Sequence, residues 1–172
     1  MQPRDLNKIR TLSSPTVDPA GTHVVFVVTR PDTDENAYHS SLWRVAVKGD
    51  DEPAPFTYGK TDTSPAYSPD GTRIAFLRGD DDAKPQIWLI AGDGGDARRI
   101  TNAPLGVSQF AWSPDGARIA FAARIPEEGR YGTDKEIKPE QEAPRLIVDA
   151  TYLADGLGYV SDRPSKIYLV DH

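Results

Sequence analysis

The sequence has no cysteine, which excludes disulfides, thiolate zinc sites and cysteine nucleophiles together. Histidine is scarce: His23, His39 and His172 are scattered, so a histidine-based metal site or catalytic triad is poorly supplied. Positive charge is in deficit, with 20 Lys and Arg against 26 Asp and Glu and a formal net charge of −6 over 172 residues. No Lys/Arg cluster stands out, which argues against a protein that works by neutralising nucleic-acid phosphates. Long apolar runs are missing too. Val24 to Val28 is as long as they get, far below the roughly 20 residues that span a bilayer. The first residues, Met1-Gln2-Pro3-Arg4-Asp5, show no apolar segment behind a basic start. These absences lead us to expect a soluble, cytoplasmic, β-rich chain.

Turn formers are plentiful, with 14 Gly and 15 Pro, too many for a helical bundle. Their placement repeats. Segments 15–26, 65–76 and 110–121 superimpose by eye, at offsets of 50 and 45 residues. Each centres on a tight turn: Ser68-Pro69-Asp70-Gly71, Ser113-Pro114-Asp115-Gly116, and a looser copy, Asp18-Pro19-Ala20-Gly21. Ser or Asp suits the first turn position, Pro presets φ at the second, and Gly accepts a positive φ at the fourth. The strands that follow, Ile74-Ala75-Phe76-Leu77 and Ile119-Ala120-Phe121-Ala122, are nearly continuous in apolar residues, as inner strands buried on both faces are. A third strand recurs with an aromatic second: Leu42-Trp43-Arg44-Val45, Ile87-Trp88-Leu89-Ile90 and Ile167-Tyr168-Leu169-Val170.

Four antiparallel strands per repeat of about 45 residues is the pattern of a β-propeller blade. The sequence therefore predicts an all-β propeller fragment of about three four-stranded antiparallel blades. A β-sandwich with similar turn spacing would not place matching side chains at matching positions. The predicted division is an N-terminal segment 1–13, blade 1 at 14–60, blade 2 at 61–104 and blade 3 at 105–172. Blade 3 is expected to lack its fourth strand and to carry an insertion at about 125–164. That insertion should hold a charged stretch and a hairpin over 146–160, turning at Asp155-Gly156. The polar segment 30–40 reads as a solvent-exposed loop. Propellers need at least four blades to close, so the expectation is that further blades belong to the same polypeptide.

The order of these features resembles the start of the propeller of acylaminoacyl peptidases and dipeptidyl aminopeptidases, within the prolyl oligopeptidase family of serine peptidases. The residues that carry the likeness are Asp5-Leu6-Asn7-Lys8-Ile9-Arg10, Val28-Thr29-Arg30-Pro31-Asp32, Ser41-Leu42-Trp43 and the two Ser-Pro-Asp-Gly turns. More discriminating are Pro144-Arg145-Leu146-Ile147, Asp155-Gly156-Leu157-Gly158-Tyr159 and Lys166-Ile167-Tyr168-Leu169-Val170-Asp171. The resemblance implies a seven-bladed propeller capping a C-terminal α/β-hydrolase domain with a Ser-Asp-His triad. The propeller would gate the access of short, N-acylated peptides to that site. It further implies homo-oligomers, no nucleic acid or membrane partner, and no cofactor. No serine here stands in Gly-x-Ser-x-Gly; Gly106-Val107-Ser108 is followed by Gln109-Phe110. No catalytic residue is assigned to this chain.

Substrate-gating or interdomain candidates are Glu127, Glu128, Arg130, Tyr131 and Arg145, all in the insertion. Paired glutamates hold a free amino terminus in the dipeptidyl peptidase branch, but the many charges around Glu127-Glu128, among them Lys135 and Glu136, favour a solvated loop. Arg130, Tyr131 and Arg145 offer fork hydrogen bonds or stacking, and surface salt bridges are the plainer reading. Trp43, Trp88, Trp112 and Tyr67 sit at equivalent repeat positions and are expected to pack blade on blade. Neither Asp80-Asp81-Asp82 nor Asp32/Asp34/Glu35 fits an EF-hand loop; both read as exposed loops, and no metal is assigned. A non-catalytic TolB-like propeller that binds a protein is the alternative function. A WD-type scaffold lacks its Gly-His and Trp-Asp pairs here.

Overall fold

A computed structural model describes residues 3–49, 51–79, 84–133, 137–148, 150–155 and 157–172. The run Asp80-Asp81-Asp82, Lys135, Glu136 and the expected turn residue Gly156 lie outside them. The chain folds into consecutive antiparallel sheets. The first holds β1 (Thr11–Val17), β2 (His23–Asp32), β3 (Ala37–Ala46) and β4 (Ala54–Pro55), in that order. The second holds β5 (Thr63–Tyr67), β6 (Arg73–Arg78), β7 (Gln86–Ala91) and β8 (Arg98–Arg99), again in order. The third joins β9 (Val107–Trp112), β10 (Arg118–Arg124) and, across the insertion, β13 (Ser165–Asp171). Among the described residues this sheet has three strands. The β1 strand starts at Thr11, so the first sheet reaches into segment 1–13. No helix among the described residues is long and apolar enough to cross a membrane.

The turns account for the hairpins. Ser68 Oγ donates to Asp70 Oδ1 at 2.6 Å and accepts from Arg73 N at 3.0 Å, while Gly71 N closes on the Ser68 carbonyl at φ +73. The Ser113 turn repeats each of these bonds. In the looser first copy, Asp18 takes both roles: its Oδ1 accepts from Thr22 N and His23 N. The Ser68 hydroxyl, then the Thr72 amide and hydroxyl, pull the Asp70 carboxyl down to about 2. Successive turns also stack. A Cβ on Gly71 would lie 3.0 Å from Pro19 Cδ, and one on Gly116 3.5 Å from Pro69 Cδ.

Register matches the sequence repeat. Phe26 faces Trp43, Phe76 faces Trp88 and Phe121 faces Tyr168 across the same strand pair in each sheet. Alternation then distributes side chains between neighbours. Ile74, Phe76 and Ile90 join Val25, Val27 and Leu42 of the first sheet, while Ala75, Leu77, Ile87 and Leu89 join Val107, Ile119 and Ala123 of the third. The second sheet is therefore buried on both faces, which is why β6 reads as an unbroken apolar run. Trp88 and Tyr67 pack in the first of these clusters and Trp112 in the second; Trp112 also donates Nε1 to the Ala66 carbonyl. Trp43 lies outside both clusters and bonds Ser41 Oγ.

Each four-stranded sheet is closed by a threonine just after its last strand. Thr57 Oγ1 accepts from Leu42 N, and Thr101 Oγ1 from Ile87 N. Around Thr57 lies Asp62, fully buried, which also takes two hydrogen bonds from Arg78 at 2.6 and 2.9 Å. The Arg78 guanidinium lies over the Phe76 and Trp88 rings.

Two expectations change. Segment 30–40 is not a loop: β2 and β3 continue as a paired ladder, Arg30 with His39 and Asp32 with Ala37, around a short turn. His39 and Ser40 are buried, because Ser40 N bonds the Lys60 carbonyl and Asp62 N bonds the Ser40 carbonyl. The hairpin expected over 146–160 shrinks to β11 (Leu153–Ala154) and β12 (Gly158–Tyr159). Leu146 and Val148 stay exposed instead of pairing.

Candidate functional site

The insertion between β10 and β13 gathers charge into a compact knot. Arg145 Nε donates to Asp162 Oδ2 at 2.7 Å, and its other end pairs with Glu142. Arg163 spans the same two acids, through Nε to Asp162 Oδ1 at 2.9 Å and Nη2 to Glu142 Oε1. Arg130 approaches Asp162 at 3.3 Å and donates to the Ala143 carbonyl. Tyr131 contributes its backbone N–H to Glu142 Oε1. The Arg145 guanidinium lies 4.0 Å from the Tyr159 ring centre. All five charged side chains are largely removed from water.

Burial alone would raise the Glu142 and Asp162 carboxyls. Hydrogen bonds from Arg145 and Arg163 outweigh it and hold both below the ordinary carboxylate range. A carboxyl lowered by folding stabilises the fold above its unfolded value and stops doing so as pH falls through the folded one. The knot is thus intact at neutral pH and weakens in acid.

Of the sequence candidates, Arg130, Tyr131 and Arg145 come together here. Glu127 and Glu128 are exposed and stand apart from them; only the Glu127 backbone is used, its N–H bonding the Asp162 carbonyl. Glu142, Asp162 and Arg163 were missed: Glu142 stands three residues before Arg145 and Asp162 beside Arg163, but the contacts that join these two pairs, Arg145 to Asp162 and Arg163 to Glu142, span 17 and 21 residues and come only with the fold. Beside the knot opens a cavity of about 460 Å³. Among the described residues its wall includes Lys84, Arg124, Tyr131, Leu157 and Arg163, and no carboxylate. Arg124 is fixed there by donating to the carbonyls of Leu157, Tyr159 and Arg163. Such a wall can donate hydrogen bonds to oxygen atoms. A second gathering, Asp32, Glu35 and His39, lies at the end of the β2–β3 ladder. Asp32 and Glu35 belong to the acidic run that does not fit an EF-hand loop and reads as exposed; the ladder adds His39, which the sequence reading does not join to them.

Stacked four-stranded antiparallel sheets with a large insertion define a partial β-propeller. No family model matches the chain. Over 169 residues it is 31% identical to the uncharacterized peptidase YuxL of Bacillus subtilis, covering 96% of this chain and 25% of that protein. It is 28% identical to dipeptidyl-peptidase 5 of Porphyromonas endodontalis, covering 88% of this chain and 22% of that protein. The acylaminoacyl peptidase of Pyrococcus horikoshii superimposes with a TM-score of 0.72 at 20% identity, over 96% of this chain and 24% of that one. The β-propeller domain of the trilobed protease from Pyrococcus furiosus gives 0.54 at 24% identity, over 67% and 34%. The chain thus matches a partial, propeller-like part of proteins named as peptidases, in keeping with the sequence resemblance. It spans about a quarter of the length of the curated relatives it matches.

Proposed function

We propose that this chain is the propeller portion of a serine exopeptidase of the acylaminoacyl-peptidase type, gating the access of short, N-acylated peptides to an α/β-hydrolase domain. The observation that carries this reading is the match to YuxL over 96% of the chain, a span too long to leave the insertion out. The knot supports it, since a gate needs a rigid feature and Arg130, Arg145 and Arg163 fix one on the third sheet. The remaining blades and the Ser-Asp-His site are assigned to the rest of the polypeptide, and the assembly to a cytoplasmic homo-oligomer.

The test is hydrolysis by the full-length protein. Acetylated amino-acid anilides, free dipeptidyl anilides and acylated peptides of increasing length are compared by kcat/KM. The proposal expects the short acylated substrates to lead and activity to fall with length. A preference for free dipeptides would move the enzyme to the dipeptidyl branch. A folded protein inactive on all three would leave the protein-binding propeller.

A further inference from the structure

His39 is 7% exposed, in a chain whose sequence pointed to no metal. Its Nε2 stands 2.9 Å from Glu35 Oε2. An ionised carboxylate only accepts, so the ring must donate there, and the neutral ring then carries its lone pair on Nδ1. That Nδ1 is buried and has no hydrogen-bond partner. It faces Asp32 Oδ2 at 3.7 Å. Asp32 Oδ1 is already taken by the Asp34 and Glu35 amides, both at 3.0 Å, which fixes the direction of Oδ2.

Two acceptors thus face one another across a gap too wide for a hydrogen bond, whose N···O distance is about 2.7–3.2 Å. The gap suits two ligands of one ion. Zinc bonds of about 2.0–2.2 Å at a tetrahedral angle put neighbouring ligand atoms roughly 3.3–3.6 Å apart. Glu35 already sits where a ligating histidine wants its outer carboxylate, on the far ring nitrogen. Lys60 Nζ, at 2.6 and 2.9 Å from the two Glu35 oxygens, holds that carboxylate in place. Asp32 and Glu35 are partly exposed, which gives an ion a way in from solvent. Imidazole with carboxylate selects zinc or its first-row neighbours over calcium, which asks for six to eight oxygens.

We propose that His39 Nδ1 and Asp32 Oδ2 bind a divalent first-row transition ion of the zinc class, with Glu35 positioning the ring and water completing the coordination. The site ties the tip of the β2–β3 ladder in the first sheet.

The test is equilibrium dialysis of the tag-free, full-length protein against zinc, with cobalt as the spectroscopic probe. The proposal expects one ion per chain at this site, retained against a hundredfold excess of calcium or magnesium. His39→Asn and Asp32→Asn should each weaken binding at least tenfold, and Glu35→Gln by about ten- to a hundredfold. Glu127→Gln, on the insertion, should leave it unchanged. Thermal melts without metal check that the variants fold; Asp32, being partly exposed, covers the case in which His39→Asn does not. Binding unaltered by Asp32→Asn, or no stoichiometric zinc on the parent protein, overturns the proposal.

Discussion

The second sheet and the insertion of the third use similar lengths of chain and are held by opposite means. In the sheet, Ile74, Ala75, Phe76 and Ile87 are completely buried between two neighbours. Among the described residues of the insertion, the buried side chains are Pro126, Asp162 and Arg163. Apolar burial is non-directional and stabilises in proportion to area, about 1.5–3 kcal/mol for each large side chain. A buried ion-pair knot gains little net stability, because desolvation offsets attraction, yet it loses much when one partner is removed. The sheet therefore supplies stability and tolerates imprecise contacts. The insertion supplies one defined arrangement and tolerates few losses. That is how a rigid repeat carries a specific feature on its rim.

Phe76→Ala should break the sheet side of this contrast. A cavity at the centre of the first interface is expected to cost about 3–5 kcal/mol in global stability, read as a lower urea midpoint with the whole protein unfolding together. Asp162→Ala tests the other side. It strands Arg145 and Arg163, and the expected local loss is about 3 kcal/mol. On the scale of tenfold per 1.4 kcal/mol, amide exchange in the insertion should quicken on the order of a hundredfold, while protection of β6 and β7 is retained. If β6 lost protection equally, the two regions would be one cooperative unit and the contrast would fail.

The smallest effect concerns the turns. Ser68→Ala removes the leading cause of the low Asp70 carboxyl, so its NMR titration should move up from about 2 toward the ordinary value. Because folding lowers this carboxyl, its contribution is complete above about pH 4 and fades as pH falls toward 2. The variant should therefore show less acid destabilisation from this turn, besides losing roughly 1 kcal/mol for the hydroxyl's own bond to Arg73 N. An unchanged Asp70 titration would show that the Thr72 contacts suffice.

Much of the fold was legible because its causes are local. Pro69 and Gly71 act within four residues, and the unbroken apolar run Ile74-Ala75-Phe76-Leu77 already says that both faces of β6 are covered. The paired aromatics, Phe76 with Trp88 and Phe121 with Tyr168, follow from equal strand offsets. Segment 30–40 misled because a polar sequence was taken for a loop, although a ladder needs only backbone N–H and C=O groups. In the insertion, Arg130 and Arg145 engage buried acids and Tyr131 gives only its backbone N–H, and the sequence reading pairs none of these residues with those acids. An ion pair between Arg145 and Asp162 leaves no periodic mark on the sequence.

By itself, then, the sequence determined the turns, the repeat, the strands that are buried on both sides, and the kinship with a peptidase propeller. The tertiary structure alone decided which charges are removed from water. It put Glu142 and Asp162 between three arginines, Asp62 beneath Arg78, and His39 opposite Asp32. Hydrophobic periodicity is written one residue at a time, whereas electrostatic partnership depends on distances of a few ångströms between segments that only folding brings together.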